Sequence, residues 1–111
     1  MPAVVRRGDV YRVTLRGEGQ ELRGPHYVVV VSDDPFNYLS TVVVVPFSSH
    51  AQASFLHPEA VIHGSRTRAL VEQLRVLSRQ RLGEYITSLA GTSTLDEIDD
   101  LLRQLLALGV D

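Results

Sequence analysis

Two runs of β-branched residues constrain the fold of this chain more than any other feature. "HYVVVVS" at residues 26–32 and "TVVVVPF" at residues 41–47 each contain four consecutive valines. Valine favours extended backbone, and neither run has the spacing of an amphipathic helix. The "DDPFN" between them contains residues that favour turns. The sequence therefore predicts two core strands separated by a turn.

Three other segments complete the strand pattern. "DVYRVTL" at residues 9–15 alternates in polarity and predicts a strand whose faces meet different surroundings. A short strand is expected near Glu59 to Ile62, with a turn at Gly64. "RALVEQLRVLS" at residues 68–78 fits either a helix or a bent pair of strands. Because proline cannot donate to a ladder, pairing of the second valine strand should finish or reach an edge at Pro46, with side chains just beyond it facing solvent.

The C-terminal segment predicts an amphipathic helix. In "TLDEIDDLLRQLLALG", Thr94 and Glu97 have the spacing of a capping box, and Gly109 supplies a stop. Its apolar positions cover more than a narrow stripe, so one side of the helix is expected to meet a second chain. These positions are Leu95, Ile98, Leu101, Leu102, Leu105, Leu106 and Leu108.

Composition limits the class of protein. A chain of 111 residues with 44% hydrophobic content suits one domain, expected to span 1–111 as a mainly β fold with a C-terminal helix: a small, SH3-like, partly open barrel. The absence of cysteine and of any signal peptide or apolar membrane span predicts a soluble cytoplasmic protein.

Residues 1–82 have three more arginines than acids, a weak indication of a polyanionic partner. The four histidines lack metal-site spacing, and no phosphate-binding glycine loop is present, so neither metal nor cofactor is expected.

Several segments together resemble a known family. "RGDVYRVTL", "GQELRGPHYVVVVSDDPFN", "TVVVVPFSS", "LVEQLRVLSRQRL" and the terminal helix occur in this order over nearly the whole chain. Their combination resembles the MazF/PemK family of toxin endoribonucleases. The resemblance implies a CcdB/MazF-like barrel, a homodimer, and an mRNA interferase that cuts single-stranded RNA at short sequences without a metal. It also implies neutralisation by a cognate antitoxin.

The resemblance also assigns candidate site residues. In the family an arginine opens the second strand and a threonine follows the Val-Pro pair of the third, and both serve the scissile phosphate. Here these positions hold His26 and Ser48. Histidine can transfer protons near neutral pH, and the serine hydroxyl can still hold a phosphate oxygen, which implies products with 2′,3′-cyclic phosphate and 5′-hydroxyl ends. The expected RNA-binding residues are Arg16, Glu21, Arg23, Ser49, Gln73 and Arg75, with Arg23 ranked first among the arginines to replace the missing cation.

Two other function classes remain open from the sequence. Loss of the family arginine is also expected in a non-catalytic RNA-binding or interaction module of the same fold. A gyrase-poisoning toxin on the same barrel is the third reading. Tyr27 and Tyr38 fit base stacking, although core packing explains Tyr27 equally well.

Overall fold

The computed structural model describes residues 4–109 of the chain, which form a strongly curved antiparallel sheet followed by one C-terminal helix. The strands are β1 (Asp9–Leu15), β2 (Gly24–Val30), β3 (Thr41–Ser48), β4 (Glu59–Ile62), β5 (Ser65–Ala69), β6 (Arg75–Ser78) and β7 (Tyr85–Ser88), and the helix is α1 (Ser93–Leu105). Short 3₁₀ turns occupy Asp34–Tyr38, Val71–Gln73 and Arg79–Arg81. The predicted mainly β fold with a terminal helix is confirmed.

Strand β3 organises the sheet because it changes partners along its length. The strand order is β4-β5-β3-β2-β1-β7, with β6 also paired to β3. The first half of β3 pairs with β6, whereas Phe47 and Ser48 pair with β5. Pairing with β2 ends at Pro46, but the expectation that the ladder finishes or reaches an edge there is wrong, because β3 continues past it in pairing with β5. The expectation that side chains just past Pro46 face solvent is wrong for Phe47 and Ser48, because β5 covers this end of β3 and leaves them 1% and 6% exposed.

The valine runs are continuous because both faces of the sheet are buried. On β2, Val29 belongs to one core cluster, whereas Val28 and Val30 belong to a second cluster on the other face. Helix α1 closes the first cluster with Leu95 and Ile98. Alternate side chains of one strand therefore enter two different cores, which a polar position would disrupt.

Helix α1 begins two residues earlier than the capping box predicted. Thr92 is the N-cap, and its Oγ1 accepts a hydrogen bond from the Leu95 N–H at 3.3 Å. The Thr94 hydroxyl instead donates to the carbonyl of Glu59 on β4 at 2.8 Å. The helix ends at Leu105, four residues before Gly109, and Ala107 adopts the left-handed conformation (φ 56°) beyond it. The predicted capping box and glycine stop are therefore wrong in position.

The segment "RALVEQLRVLS", which fitted a helix or bent strands, forms the end of β5, a 3₁₀ turn and β6. The strand and turn predicted around residues 59–64 are confirmed. His63 and Gly64 both have positive φ (51° and 77°) and form the two-residue turn between β4 and β5, a conformation that suits this hairpin type.

Candidate active site

His26 lies near the start of β2, opposite Val13 of β1, and its ring is held between two backbone carbonyls. Its Nδ1 lies 2.9 Å from the carbonyl oxygen of Phe47, and its Nε2 lies 2.9 Å from that of Arg23. A neutral imidazole has one N–H and can donate to one of these oxygens, whereas an imidazolium donates to both. His26 therefore connects the end of the β1–β2 loop with the end of β3.

Ser48 is the residue after Phe47, so the His26 ring contacts the backbone directly before it. The Ser48 side chain is nearly buried, and its Oγ accepts a hydrogen bond from the His50 N–H at 3.2 Å. Ser49, the next residue, is exposed. The structure thus brings His26 to the β3 end that carries both serines, with Ser49 the more accessible of the two.

Gln73 and Arg75 hold the β1–β2 loop against the sheet. The Gln73 side chain accepts from the Leu22 N–H at 2.6 Å and donates to the Gln20 carbonyl at 3.1 Å. Arg75 donates to the carbonyls of Arg16 at 2.9 Å and Leu22 at 3.2 Å, and to the Gln73 side chain at 3.0 Å. These predicted RNA-binding groups are thus occupied by contacts within the protein that order the loop.

The remaining predicted RNA-binding residues lie on that loop. Arg16, Glu21 and Arg23 are all exposed. Glu21 closes a local turn by accepting from the Glu18 N–H at 2.5 Å. Within residues 4–109, no carboxylate forms an ion pair with Arg16 or Arg23. These two guanidinium groups therefore remain accessible to an anion.

A perturbed titratable group lies in the second core cluster rather than beside His26. Burial raises the pKa of Tyr11 to about 12, and the nearby Asp9 carboxylate adds to the shift. The Tyr11 hydroxyl donates to Asp9 at 3.3 Å, and the Asp9 side chain also accepts from the Arg6 N–H at 2.9 Å. This pair stabilises the start of β1 and has no direct contact with the His26 ring.

Another histidine, His57, joins two other segments of the chain. His57 contacts Glu72 at 3.1 Å and the Gln52 carbonyl at 3.1 Å, which links the β3–β4 loop to the turn before β6. In the part of the chain that the structure describes, no three or more His, Cys, Asp or Glu side chains form a group that could hold a metal ion. No helix within residues 4–109 is long and apolar enough to cross a membrane.

Sequence reasoning missed Arg12, which is exposed on β1 with its guanidinium carbon 5.6 Å from the centre of the Tyr27 ring. A cavity of about 240 Å³ is lined by Arg12, His26, Ser49 and Arg66, among others. Arg12 could have been identified from the sequence, because the alternation of Arg12, Thr14 and Arg16 predicts one polar face of the strand.

Comparisons with known proteins agree with the fold. Residues 6–106 match the family described as "PemK-like, MazF-like toxin of type II toxin-antitoxin system". Endoribonuclease EndoA of Bacillus subtilis is 33% identical, with the match covering 95% of this chain and 97% of that protein. A crystal structure of MazF from Deinococcus radiodurans has a TM-score of 0.84 at 22% identity, covering 96% and 100% of the two chains. An endoribonuclease in complex with its cognate antitoxin, from a mycobacterial species, has a TM-score of 0.75 at 21% identity, covering 97% and 100%.

The match spans every strand and all but the start and end of the chain. It confirms the predicted family and, at the level of that family, the prediction of an endoribonuclease. This chain belongs to the PemK-like, MazF-like toxins of type II toxin–antitoxin systems.

Proposed function

We propose that this protein is a toxin that cleaves single-stranded RNA at specific sequences without a metal ion and that a cognate antitoxin neutralises it. The observation that carries the proposal is the position of the His26 ring, 2.9 Å from the backbone directly before Ser48. A proton-transfer group and a hydroxyl donor lie together at one end of the sheet, in a chain 33% identical to an endoribonuclease over nearly its whole length.

In the proposed reaction the RNA 2′-oxygen attacks the adjacent phosphorus, and the bond from phosphorus to the 5′-oxygen breaks. The 2′-hydroxyl loses a proton and the departing 5′-oxygen gains one, so the products carry a 2′,3′-cyclic phosphate and a 5′-hydroxyl. His26 performs one of these transfers, and Ser48 donates to a non-bridging oxygen. Nε2 of His26 is the reacting atom, because its contact with Arg23 is exposed whereas the contact of Nδ1 with Phe47 is part-buried.

For Ser48 to reach a phosphate, the segment after it has to move slightly. Its side chain is nearly buried, and its Oγ is engaged by the His50 N–H. Ser48 is the last residue of β3, and His50 lies at the start of the irregular β3–β4 loop, in which Phe55 is 85% exposed. We propose that binding of RNA displaces this loop and uncovers the Ser48 hydroxyl.

The proposed oligomer is a homodimer. The turn before β3 exposes Phe36, Tyr38 and Leu39, and β6, which pairs with the first half of β3, exposes Val76. Burying these side chains on a second copy would remove apolar surface that a barrel this small leaves in water. Light scattering of the wild-type protein at high micromolar concentration should give twice the monomer mass. The substitution Val76→Glu should lower the measured mass toward that of the monomer. A monomer mass for the wild-type protein would contradict the proposal.

A non-catalytic RNA-binding module is the second candidate, because both ring nitrogens of His26 face backbone carbonyls and Ser48 is nearly buried. The test incubates purified protein with a long RNA in a chelator and maps both ends at each cut. We expect cyclic phosphate and 5′-hydroxyl ends, loss of cutting in His26→Ala, and retained cutting in Ser48→Thr. His63→Asn, on the β4–β5 turn, is the histidine control. No cutting by wild type, or 5′-phosphate products, would reject the nuclease mechanism.

A further inference from the structure

A row of arginines lies on one face of the β1–β2 hairpin. In the register of this pair, Arg12 is opposite Tyr27 and Thr14 is opposite Pro25, so these side chains share a face. The side chains of Val13 and His26 leave the backbone on the opposite face of the hairpin. Arg16 follows Thr14 beyond the end of β1, and Arg81 reaches this face by donating to the Thr14 carbonyl. We call Arg12, Arg16 and Arg81 the β1 arginine surface.

The β1 arginine surface lines a groove that leads toward the candidate active site. A cavity of about 420 Å³ is lined by all three arginines, together with Pro25, Gly83 and Glu84. The cavity of about 240 Å³ that includes His26 and Ser49 also includes Arg12 and Pro25. Both cavities are lined in part by Arg12 and Pro25, which places them next to each other on the β1–β2 hairpin.

The charge of this surface is not neutralised by the protein. No carboxylate forms an ion pair with Arg12, Arg16 or Arg81 in residues 4–109. Some arginines elsewhere are paired with carboxylates, such as Arg68 with Glu59 at 3.0 Å and Arg103 with Asp100 at 2.7 Å. Glu84 is the acid in the lining of the larger cavity, against three arginines. The groove therefore has a positive excess that favours an anion.

The wall of the larger cavity is fixed by backbone contacts. The Gly83 N–H donates to the Arg12 carbonyl at 2.9 Å, and the Arg12 N–H donates to the Glu84 carbonyl at 2.9 Å. A Cβ at Gly83 would lie well inside van der Waals contact with the Arg12 carbonyl oxygen. Glycine thus lets the segment before β7 approach β1 closely, so the groove is formed before a ligand binds.

We propose that the β1 arginine surface binds the sugar–phosphate backbone of the RNA strand beside the nucleotides that are cut, an inference that rests on the proposed function. Arginine forks bind phosphate oxygens with two parallel hydrogen bonds. The Arg12 guanidinium lies over the Tyr27 ring and adds a planar cationic surface on which a base can stack. An acidic segment of a protein partner is the competing occupant, and the experiment separates the two.

The experiment measures binding of a non-cleavable RNA, with a 2′-O-methyl group at the mapped cleavage position, across a range of salt concentrations. Each phosphate contact on single-stranded nucleic acid contributes about 0.7 to the slope of log affinity against log salt. Taking 1 M salt as the reference, one contact is therefore worth about fivefold at 0.1 M. We expect Arg12→Gln and Arg16→Gln each to weaken binding about fivefold at 0.1 M and to reduce the slope by about 0.7.

Two controls keep the result specific. Arg103→Gln removes an arginine on α1 and should change neither affinity nor slope, and Arg12→Lys keeps the charge and should retain the slope. Thermal melts of all variants exclude unfolding as the cause. For Arg16→Gln, the loss should disappear when the RNA is trimmed to the few nucleotides around the cut, because the flanking phosphates are then absent.

Unchanged affinity and slope in Arg12→Gln and Arg16→Gln would overturn the proposal, even if wild-type protein cuts RNA. Weaker binding of a polyglutamate peptide by these variants, with RNA binding intact, would also overturn it in favour of the acidic partner. If the variants weaken RNA binding but wild type leaves unmodified RNA uncut, the surface stands and the nuclease assignment fails.

Discussion

Replacement of Arg75 by methionine should release the β1–β2 loop while leaving the aliphatic part of the side chain in place. Arg75 donates to the Arg16 carbonyl, the Leu22 carbonyl and the Gln73 side chain at 2.9–3.2 Å. Part-exposed hydrogen bonds contribute about 0.5–1.5 kcal/mol each, so the change should cost about 2–4 kcal/mol of loop stability. The same loop supplies the Arg23 carbonyl that contacts His26, so kcat should fall as well.

The assay combines three measurements on Arg75→Met and on the control Arg103→Met. Hydrogen exchange should show faster opening at Leu22, whose N–H donates to Gln73. Cleavage should slow, and the salt dependence of RNA binding should stay as in wild type, because the Arg75 guanidinium donates inward to the β1–β2 loop and so makes no phosphate contact of its own. If the slope of log affinity against log salt fell by about 0.7 while the Leu22 N–H stayed protected from exchange, this reasoning would be refuted and Arg75 would be a phosphate ligand.

Three further outcomes follow from single residues. His26→Gln should lower the cleavage rate, because a carboxamide forms hydrogen bonds but cannot transfer a proton as an imidazole does; an unchanged rate would assign the proton transfer to another residue. The raised pKa of Tyr11, about 12, favours the neutral phenol in the folded state, so its stabilisation is complete below about pH 10 and is lost as the pH rises toward 12. Urea unfolding should therefore show wild type losing about 1–3 kcal/mol more than Tyr11→Phe over this interval, and parallel curves would contradict the assignment. Gly83→Ala should cost about 1–3 kcal/mol, because a Cβ collides with the Arg12 carbonyl; an unchanged melting temperature would argue against the close approach.

The elements that were predicted correctly are those that residues close together in the sequence specify. The valine runs of β2 and β3 specify extended backbone at every position, and burial on both faces explains why no polar residue interrupts them. The turn at Gly64 is set by its two residues with positive φ. By contrast, the strand nature of Arg75–Ser78 is decided by pairing with β3, more than 30 residues away, which no local pattern specifies.

The N-cap of the helix was predicted at the wrong residue, and the contacts of Gln73 and Arg75 with the β1–β2 loop were not predicted. Both have the same physical reason. Thr94 satisfies the local rule for an N-cap, yet its hydroxyl has an acceptor on β4, and Thr92 performs the capping. Gln73 and Arg75 were assigned to RNA from the family resemblance, whereas their donors reach loop residues more than 50 positions earlier. A motif identifies which residues meet at one end of the sheet but not whether their hydrogen bonds point inward or toward a ligand.

The carbonyl contacts of His26 suggest how a histidine can replace a permanent cation at this position. Two acceptors at 2.9 Å match the two N–H groups of an imidazolium, so the charged ring is fully hydrogen-bonded without a carboxylate partner. An RNA phosphate that displaces the Arg23 carbonyl from Nε2 would exchange a neutral acceptor for a charged one and so add an ion pair to the hydrogen bond of the imidazolium. The gain would offset the cost of moving the Arg23 carbonyl, while Gln73 and Arg75 keep the rest of the β1–β2 loop in place. On the proposed mechanism, phosphate binding and release of the Arg23 carbonyl would be one coupled step, and the Arg75 contacts would keep the His26 ring in position for the proton transfer from Nε2.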